Sequence, residues 1–241
     1  MVNRLKIGFY QGYHGEGLPI DIAEKATESK PDIFCLPEYF FVKQTEQSIL
    51  DSVERHDMHL QYLLDLSIRL NCVIAGGTLL ISDDDKLRNR CYYIDKGSVI
   101  GHYDKIHLYR DEGRGQVKPG VEYKVFGYQN LRIGILVCAD VLFESSFYNI
   151  KGLKPDVIIV PVISPFKEGE TSEDKYKRDE RLWVNGAKIT GCPIIKIGSV
   201  GKIAGKKVQG RSLLAGSERI EFRVAPEAEE KPLLKFLDLS L

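Results

Sequence analysis

The chain has 241 residues, 43% of them hydrophobic and 28% charged, with 34 Lys plus Arg against 34 Asp plus Glu. That composition is ordinary for a soluble globular protein, and balanced charge gives no bulk attraction for nucleic acid or an anionic membrane. No apolar run approaches the roughly 20 residues of a membrane span, so the expectation is one α/β domain over residues 1–241, with neither nucleic acid nor membrane as a partner.

The opening MVNRLKIGFYQ has an apolar stretch too short for a signal-peptide core, and residues 5–12 read as a first strand. A Gly-rich loop leads to a helix over Ile20–Ser29, closed by Lys30-Pro31. In PDIFCLPEYFF, Ile33–Leu36 reads as a buried strand that Pro37 ends. A helical pattern runs from about Ser48 to Leu70, with Leu60, Leu63, Leu64 and Ile68 on one face. CVIAGGTLLI (72–81) reads as one strand whose Gly76-Gly77 admits a close backbone neighbour. CYYID and SVIGHYD flank Lys96-Gly97 as a hairpin.

LRIGILVCADVLFES (131–145) gives a buried strand through Val137, a turn at Cys138, and Asp140 as the cap of a helix beginning near Phe143. VIIVPVI (157–163) is a further buried strand, and Thr171-x-x-Asp174 starts a helix that ends near Gly191. PIIKIGS (193–199), a late hairpin and LLKFLDL complete the succession. Buried runs alternating with amphipathic helices argue for sheets covered by helices. Alternation alone leaves open one doubly wound sheet or two stacked ones.

Three residues end apolar strand-like runs: Glu38, Lys105 and Cys138. Taken singly they read as a solvated loop acid, a surface lysine and a core cysteine. Taken together they form a base, a cation and a nucleophile. Glu38 among Tyr39, Phe40 and Phe41 is expected to have a raised pKa. Cys138 at a strand-to-helix junction is expected to favour its thiolate. Cys35, Cys72, Cys91, Cys138 and Cys192 have no CxxC spacing, which weakens metal and disulfide readings and points to a reducing cytosol.

The LPE segment around Glu38, Y-x-K-x-H-L around Lys105 and strand–Cys–x–Asp around Cys138 resemble, in order and spacing, the three catalytic motifs of the nitrilase superfamily, the carbon–nitrogen hydrolases. Pro119-Gly120 followed by Val125-Phe126, Gly210-x-Ser212, and Leu237–Leu239 extend the likeness over essentially the whole chain.

The resemblance implies a four-layer αββα sandwich, a cytoplasmic homodimer, and no cofactor or metal. It implies a thiol hydrolase of non-peptide linear amide bonds, working through a Cys138 thioester on a small-molecule amide. Glu38 would be the base. Lys105 would lower the thiol pKa and, with the Ala139 N–H, hold the oxyanion. Glu112 is assigned as the second acid that aligns substrate and Lys105, with Asp111 as the competing choice. Tyr39, Ala139, Phe143 and Ser164 are the expected substrate contacts, and His102 and His107 are assigned tautomer support or packing.

Family members acting on nitriles usually have Trp-Glu after the cysteine, whereas this chain has Ala139-Asp140. Many carbamoylases carry an Arg shortly after, whereas Val141 and Leu142 stand here, leaving Arg110 and Arg114 as the loop arginines for an anion. A nitrilase, a carbamoylase or a catalytically inactive binding protein on the same fold are the alternatives.

Overall fold

The computed structural model describes residues 4–15, 17–84, 86–110 and 112–241. β1 (Arg4–Gln11), β2 (Ile33–Leu36) and β3 (Val73–Gly76) are parallel neighbours, with α1 (Ile20–Ser29) and α2 (His56–Leu70) as their crossovers. β4 (Leu79–Asp83) and β6 (Ser98–Asp104) run antiparallel to β5 (Lys86–Asp95). β4 follows β3 along one edge of β5, and β6 takes the other.

The second half repeats the plan. β7 (Lys124–Tyr128) pairs antiparallel with β8 (Leu131–Ile135), and α3 (Glu144–Gly152) leads to β9 (Val157–Pro161). α4 (Ser172–Asp179) and α5 (Asn185–Thr190) lead to β10 (Ile194–Ile197), and β8, β9 and β10 are parallel. β11 (Gly201–Ile203) and β12 (Lys206–Val208) form a small hairpin. β13 (Leu213–Ala215) and β14 (Ile220–Arg223) complete a sheet ordered β14-β13-β10-β9-β8-β7. β15 (Leu233–Ser240) lies antiparallel to β1, with Arg4 opposite Ser240.

The period-2 direction of strand side chains explains the layers. Ile33 and Cys35 of β2, Val73 and Ala75 of β3, and Cys91 and Tyr93 of β5 join one core with Ile133, Ile135, Val157 and Ile159 of the other sheet. The alternate residues Phe34, Leu36, Ile74, Tyr92 and Ile94 join a separate core with Ala26 of α1 and Leu63, Leu66 and Leu70 of α2. Phe147 and Ile150 of α3 and Ala187 of α5 cover the far face of the second sheet. The order is therefore helices, sheet, sheet, helices: the αββα sandwich, rather than one doubly wound sheet. Each fully buried Val, Leu, Ile or Phe among these contributes about 1.5–3 kcal/mol.

The expected single strand over 72–81 is two strands, broken at Gly77-Thr78. Gly76 and Gly77 have φ of +108° and +68°. A Cβ on Gly76 would lie 2.5 Å from the Leu36 carbonyl oxygen, which accepts the Gly77 N–H at 2.9 Å. This pins the peptide just before Pro37 and Glu38. Gly76→Ala should cost about 1–3 kcal/mol of stability, read as a lower denaturant midpoint with an unchanged m-value.

The helix expected from Ser48 begins as a 3-10 turn, Ile49–Arg55, capped by Ser48 and Asp51, before α2. The helix expected from Thr171 to Gly191 contains a π turn at Glu180–Val184. Among the described residues, no helix is long and apolar enough to cross a membrane, and no group of three or more His, Cys, Asp or Glu side chains is placed to hold a metal ion.

Candidate active site

Glu38, Lys105 and Cys138 each leave the end of a strand, and the stacking of the two sheets brings those ends together. Glu38 follows β2 in a tight turn in which Tyr39 has φ of +51°. The Tyr39 N–H donates to Thr78 Oγ1 at 2.9 Å, and its carbonyl meets His14 Nδ1 at 2.9 Å. Lys105 follows β6. Its N–H donates to the Asn89 carbonyl at 2.9 Å, and its carbonyl accepts the Gly120 N–H at 2.8 Å. A Cβ on Gly120 would lie 2.1 Å from the Asp104 carbonyl oxygen, so the Pro119-Gly120 segment fits only with glycine there. Cys138 follows β8 with φ of +45°, in the left-handed region.

The side chains interlock. Lys105 Nζ donates to Glu38 Oε1 at 2.8 Å and to Glu112 Oε2 at 2.7 Å. Asn89 Nδ2 bridges the same carboxylates, 2.9 Å from Glu38 Oε1 and 2.8 Å from Glu112 Oε1. Glu112 also accepts the Tyr39 hydroxyl at 2.7 Å and the Tyr109 N–H at 3.1 Å. The Ile163 N–H donates to Glu38 Oε2 at 3.1 Å, while the Ile163 carbonyl lies 3.6 Å from Cys138 Sγ. Glu38 and Lys105 are buried, whereas Cys138 is half-buried.

This wiring separates the two acids. Burial raises the Glu38 pKa above its ordinary 4.5, with Lys105 opposing the rise and Glu112 adding to it. The Glu112 side chain is only 7% exposed, but Lys105 and the Tyr109 and Tyr39 donors outweigh that burial and hold its pKa low. Burial would lower Lys105, yet Glu38, Cys138 and Glu112 together raise it, so it stays charged. Burial drives the Cys138 thiol well above its ordinary 9.0, the Glu38 charge adds to the rise, and Lys105 offsets only part. The expected resting thiolate is thus corrected: one ammonium shared by two carboxylates has no surplus charge to give the sulfur. Cys138 rests as a thiol beside a carboxylate able to accept its proton.

Asp140 is not the cap of the following helix, which starts at Glu144 without a side-chain cap. Its carboxylate turns back to the Val137 N–H at 2.8 Å, closing the bend at Cys138. It also accepts the Tyr103 hydroxyl at 2.8 Å and the His107 N–H at 2.7 Å, tying the Cys138 turn to the chain either side of Lys105. Asp140→Asn leaves one of these donors facing an NH₂ group. It should cost about 1–3 kcal/mol, and turnover should fall beyond the loss of folded protein, measured by rate per folded fraction.

The family model for carbon-nitrogen hydrolases matches residues 18–238. The chain belongs to this family. A relative named a nitrilase, from Pyrococcus abyssi, is 23% identical over 226 residues, spanning 91% of this chain and 82% of the relative. Omega-amidase YafV of Yersinia enterocolitica is 31% identical over 116 residues, 46% of this chain and 43% of its own length. The solved amidase from Nesterenkonia sp. superposes with a TM-score of 0.83 at 19% identity, covering 98% of this chain and 90% of that one. One form of that amidase carries the acetamide moiety of fluoroacetamide covalently at its active-site cysteine.

In this carbon–nitrogen hydrolase, Glu112 stands where the second acid was expected, and Asp111 lies outside the described residues. Tyr39 is buried, and its hydroxyl donates to Glu112. Ala139 is buried in the first turn after Cys138, where 3-10 geometry gives its N–H no carbonyl within the turn. Phe143 is 45% exposed and stacks on His107 with ring centroids 4.1 Å apart. Ser164 is half-buried next to Ile163, its carbonyl accepting the Gln209 N–H at 3.0 Å. Arg110 and Arg114 are exposed with positive φ, and Arg110 lies over the Tyr109 ring. His107 packs as expected, while His102 lies on β6 against Tyr92.

Sequence reasoning missed Asn89 and the Ile163 peptide. Asn89 lies in KLRNR between Arg88 and Arg90, where nothing in the sequence sets it apart from a solvated strand residue. The Ile163 backbone carried no signal, since any residue type supplies its N–H and carbonyl.

Proposed function

We propose that this chain is a thiol amidase that hydrolyses non-peptide linear amide C–N bonds and releases ammonia or an amine. What supports the reading is the buried ammonium of Lys105 held 2.8 Å from Glu38 and 2.7 Å from Glu112, beside a cysteine that follows a strand end. The relatives' names include both a nitrilase and amidases, and the Ala139-Asp140 pair after the cysteine favours amides over nitriles.

Glu38 takes the Cys138 proton as the sulfur attacks the amide carbon, forming the C–S bond. The tetrahedral oxyanion is met by Lys105 Nζ and the Ala139 N–H. When it collapses, the C–N bond breaks and the amine leaves with the proton from Glu38. A water then gives its proton to Glu38 and attacks the thioester. The C–S bond breaks, the acid leaves, and the proton returns to the sulfur. Glu112 keeps Lys105 charged and aimed throughout. The five free cysteines support a cytoplasmic setting, and exposed Leu142, Phe143 and Tyr148 about α3 support a homodimer.

The test is ammonia release from a panel of simple amides, nitriles and N-carbamoyl amino acids, with Cys138→Ala as the blank. Turnover of amides that the blank lacks is the expected result. Turnover confined to nitriles or carbamoyl compounds would replace the reading, and none at all would leave a binding protein.

A further inference from the structure

The groups around Lys105 carry an uneven charge. Its ammonium faces two carboxylates, Glu38 and Glu112, so the trio is net negative and almost wholly withdrawn from solvent. Two like charges crowded into a buried site relieve their repulsion by holding one proton between them. A proton kept there would disable Glu38, whose task is to receive the one on Cys138.

Asn89 of β5 is 1% exposed and stands between the two acids. Its amide nitrogen, with two hydrogens to give, lies 2.9 Å from Glu38 Oε1 and 2.8 Å from Glu112 Oε1. The reverse orientation would set an oxygen against both carboxylates, so the neighbours fix which way the amide points. Oδ1 is then a buried acceptor with no partner among the described residues. An unpaired buried acceptor is destabilising, and a leucine of similar shape would have none. Packing alone therefore does not account for an amide here, whereas two acids in need of donors do. The Asn89 carbonyl also accepts the Lys105 N–H at 2.9 Å, which ties the same residue to the cation.

The two acids are not equally supplied. Glu112 has further donors in the Tyr39 hydroxyl and the Tyr109 N–H, and Glu38 has one in the Ile163 N–H. Burial raises the Glu38 pKa, while Lys105 holds that of Glu112 low in spite of burial. Glu38 is thus the acid that takes up a proton when a donor is lost. The other titratable groups facing the pair are Tyr39 beside Glu38 and Cys138 after β8, with Lys196 of β10 within Coulombic reach of the sulfur.

We propose that Asn89 is a positioning residue that holds Glu38 and Glu112 as two separate anions, so that they do not share a proton and Glu38 stays open to the one from Cys138. This deepens the amidase reading and rests on it.

Asn89→Leu removes both donors in nearly the same volume. The acid limb of kcat/KM should move up by about one to two pH units, the range for a hydrogen bond to a charged group. Raising the pH past the new limb should restore the rate, which misplaced catalytic groups would not allow. Asn89→Ser should shift the limb the same way and carries the test if Asn89→Leu does not fold. Lys86→Met, exposed on the same strand, is the control and should leave the limb unmoved. The decisive arm adds Glu112→Gln. With one acid neutral there is no pair to share a proton, so Asn89→Leu should move the limb less in that background than in the parent.

Iodoacetamide labelling of Cys138 gives the same reading without turnover. Beyond burial, the Glu38 charge opposes the thiolate. Labelling against pH should therefore break where Glu38 ionises, and the break should move upward in Asn89→Leu. An unmoved break overturns the proposal, as does an equal shift with and without Glu112, which would make Asn89 a simple donor to Glu38. A break that moves in a protein releasing no ammonia from any amide supports the Asn89 role and removes the amidase reading. Ammonia release with an unmoved limb overturns the Asn89 role and leaves the amidase reading standing.

Discussion

Glu38→Gln should lower turnover about 10²–10⁴-fold, the contribution of one positioned base, while Cys138 becomes easier to alkylate. The two effects point in opposite directions for one reason. Cys138 is held as a thiol by burial first and by the Glu38 charge second. Removing that charge lets Lys105 act on the sulfur unopposed by its nearest carboxylate, so the thiol pKa falls. The same substitution removes the carboxylate that takes the sulfur's proton, so chemistry stops. Iodoacetamide labelling at fixed pH should therefore be faster in Glu38→Gln than in the parent protein. Equal or slower labelling would mean that Glu38 does not set the sulfur's proton.

The parent protein should show the matching pH dependence. Glu38 must be ionised to act as a base, so kcat/KM falls as pH drops through its pKa. Because that pKa is raised above 4.5, the acid limb should lie above the ordinary glutamate range and should vanish in Glu38→Gln.

Lys105→Met should cost about 3–5 kcal/mol, the loss typical when one partner of a buried ion pair is removed. Its stem is replaced closely, but Glu38 and Glu112 are left buried with no cation between them. At about 2–4 °C per kcal/mol for a chain of this size, the melting temperature should drop by roughly 6–20 °C. Activity of the folded fraction should also fall about 10²–10³-fold through the lost oxyanion donor. Adding Glu112→Gln should recover part of the stability and none of the rate. Differential scanning calorimetry beside steady-state assays separates these. Restored rate in the double variant would take Lys105 out of the oxyanion site.

Much of this was legible in the chain because short apolar runs ended at residues out of keeping with them. α1 and β2 fall where periodicity and Pro37 put them, and Gly76 makes the close approach that a glycine pair inside a strand suggested. Glu38, Lys105 and Cys138 were found through their motifs, and their convergence through the resemblance those motifs carried. What escaped depends on non-local geometry. Asp140 looked like a local helix cap, but long-range donors from Tyr103 and His107 turned it around. The thiolate was misjudged because a sequence shows that Lys105 is present, not that two acids share it.

The active groups are divided between two slabs. Glu38 and Lys105 ride on one sheet and Cys138 on the other, with Tyr93 stacked on Phe126 at 4.8 Å among the side chains separating them. The chemistry is therefore a gauge of slab spacing. An oversized residue in the filling, set far from the nucleophile, would prise the sulfur from its base. A shift near 1 Å costs on the order of 10² in rate, while overpacking itself costs only about 1–3 kcal/mol. Variants of that filling should thus register as slow enzymes before they register as unstable ones.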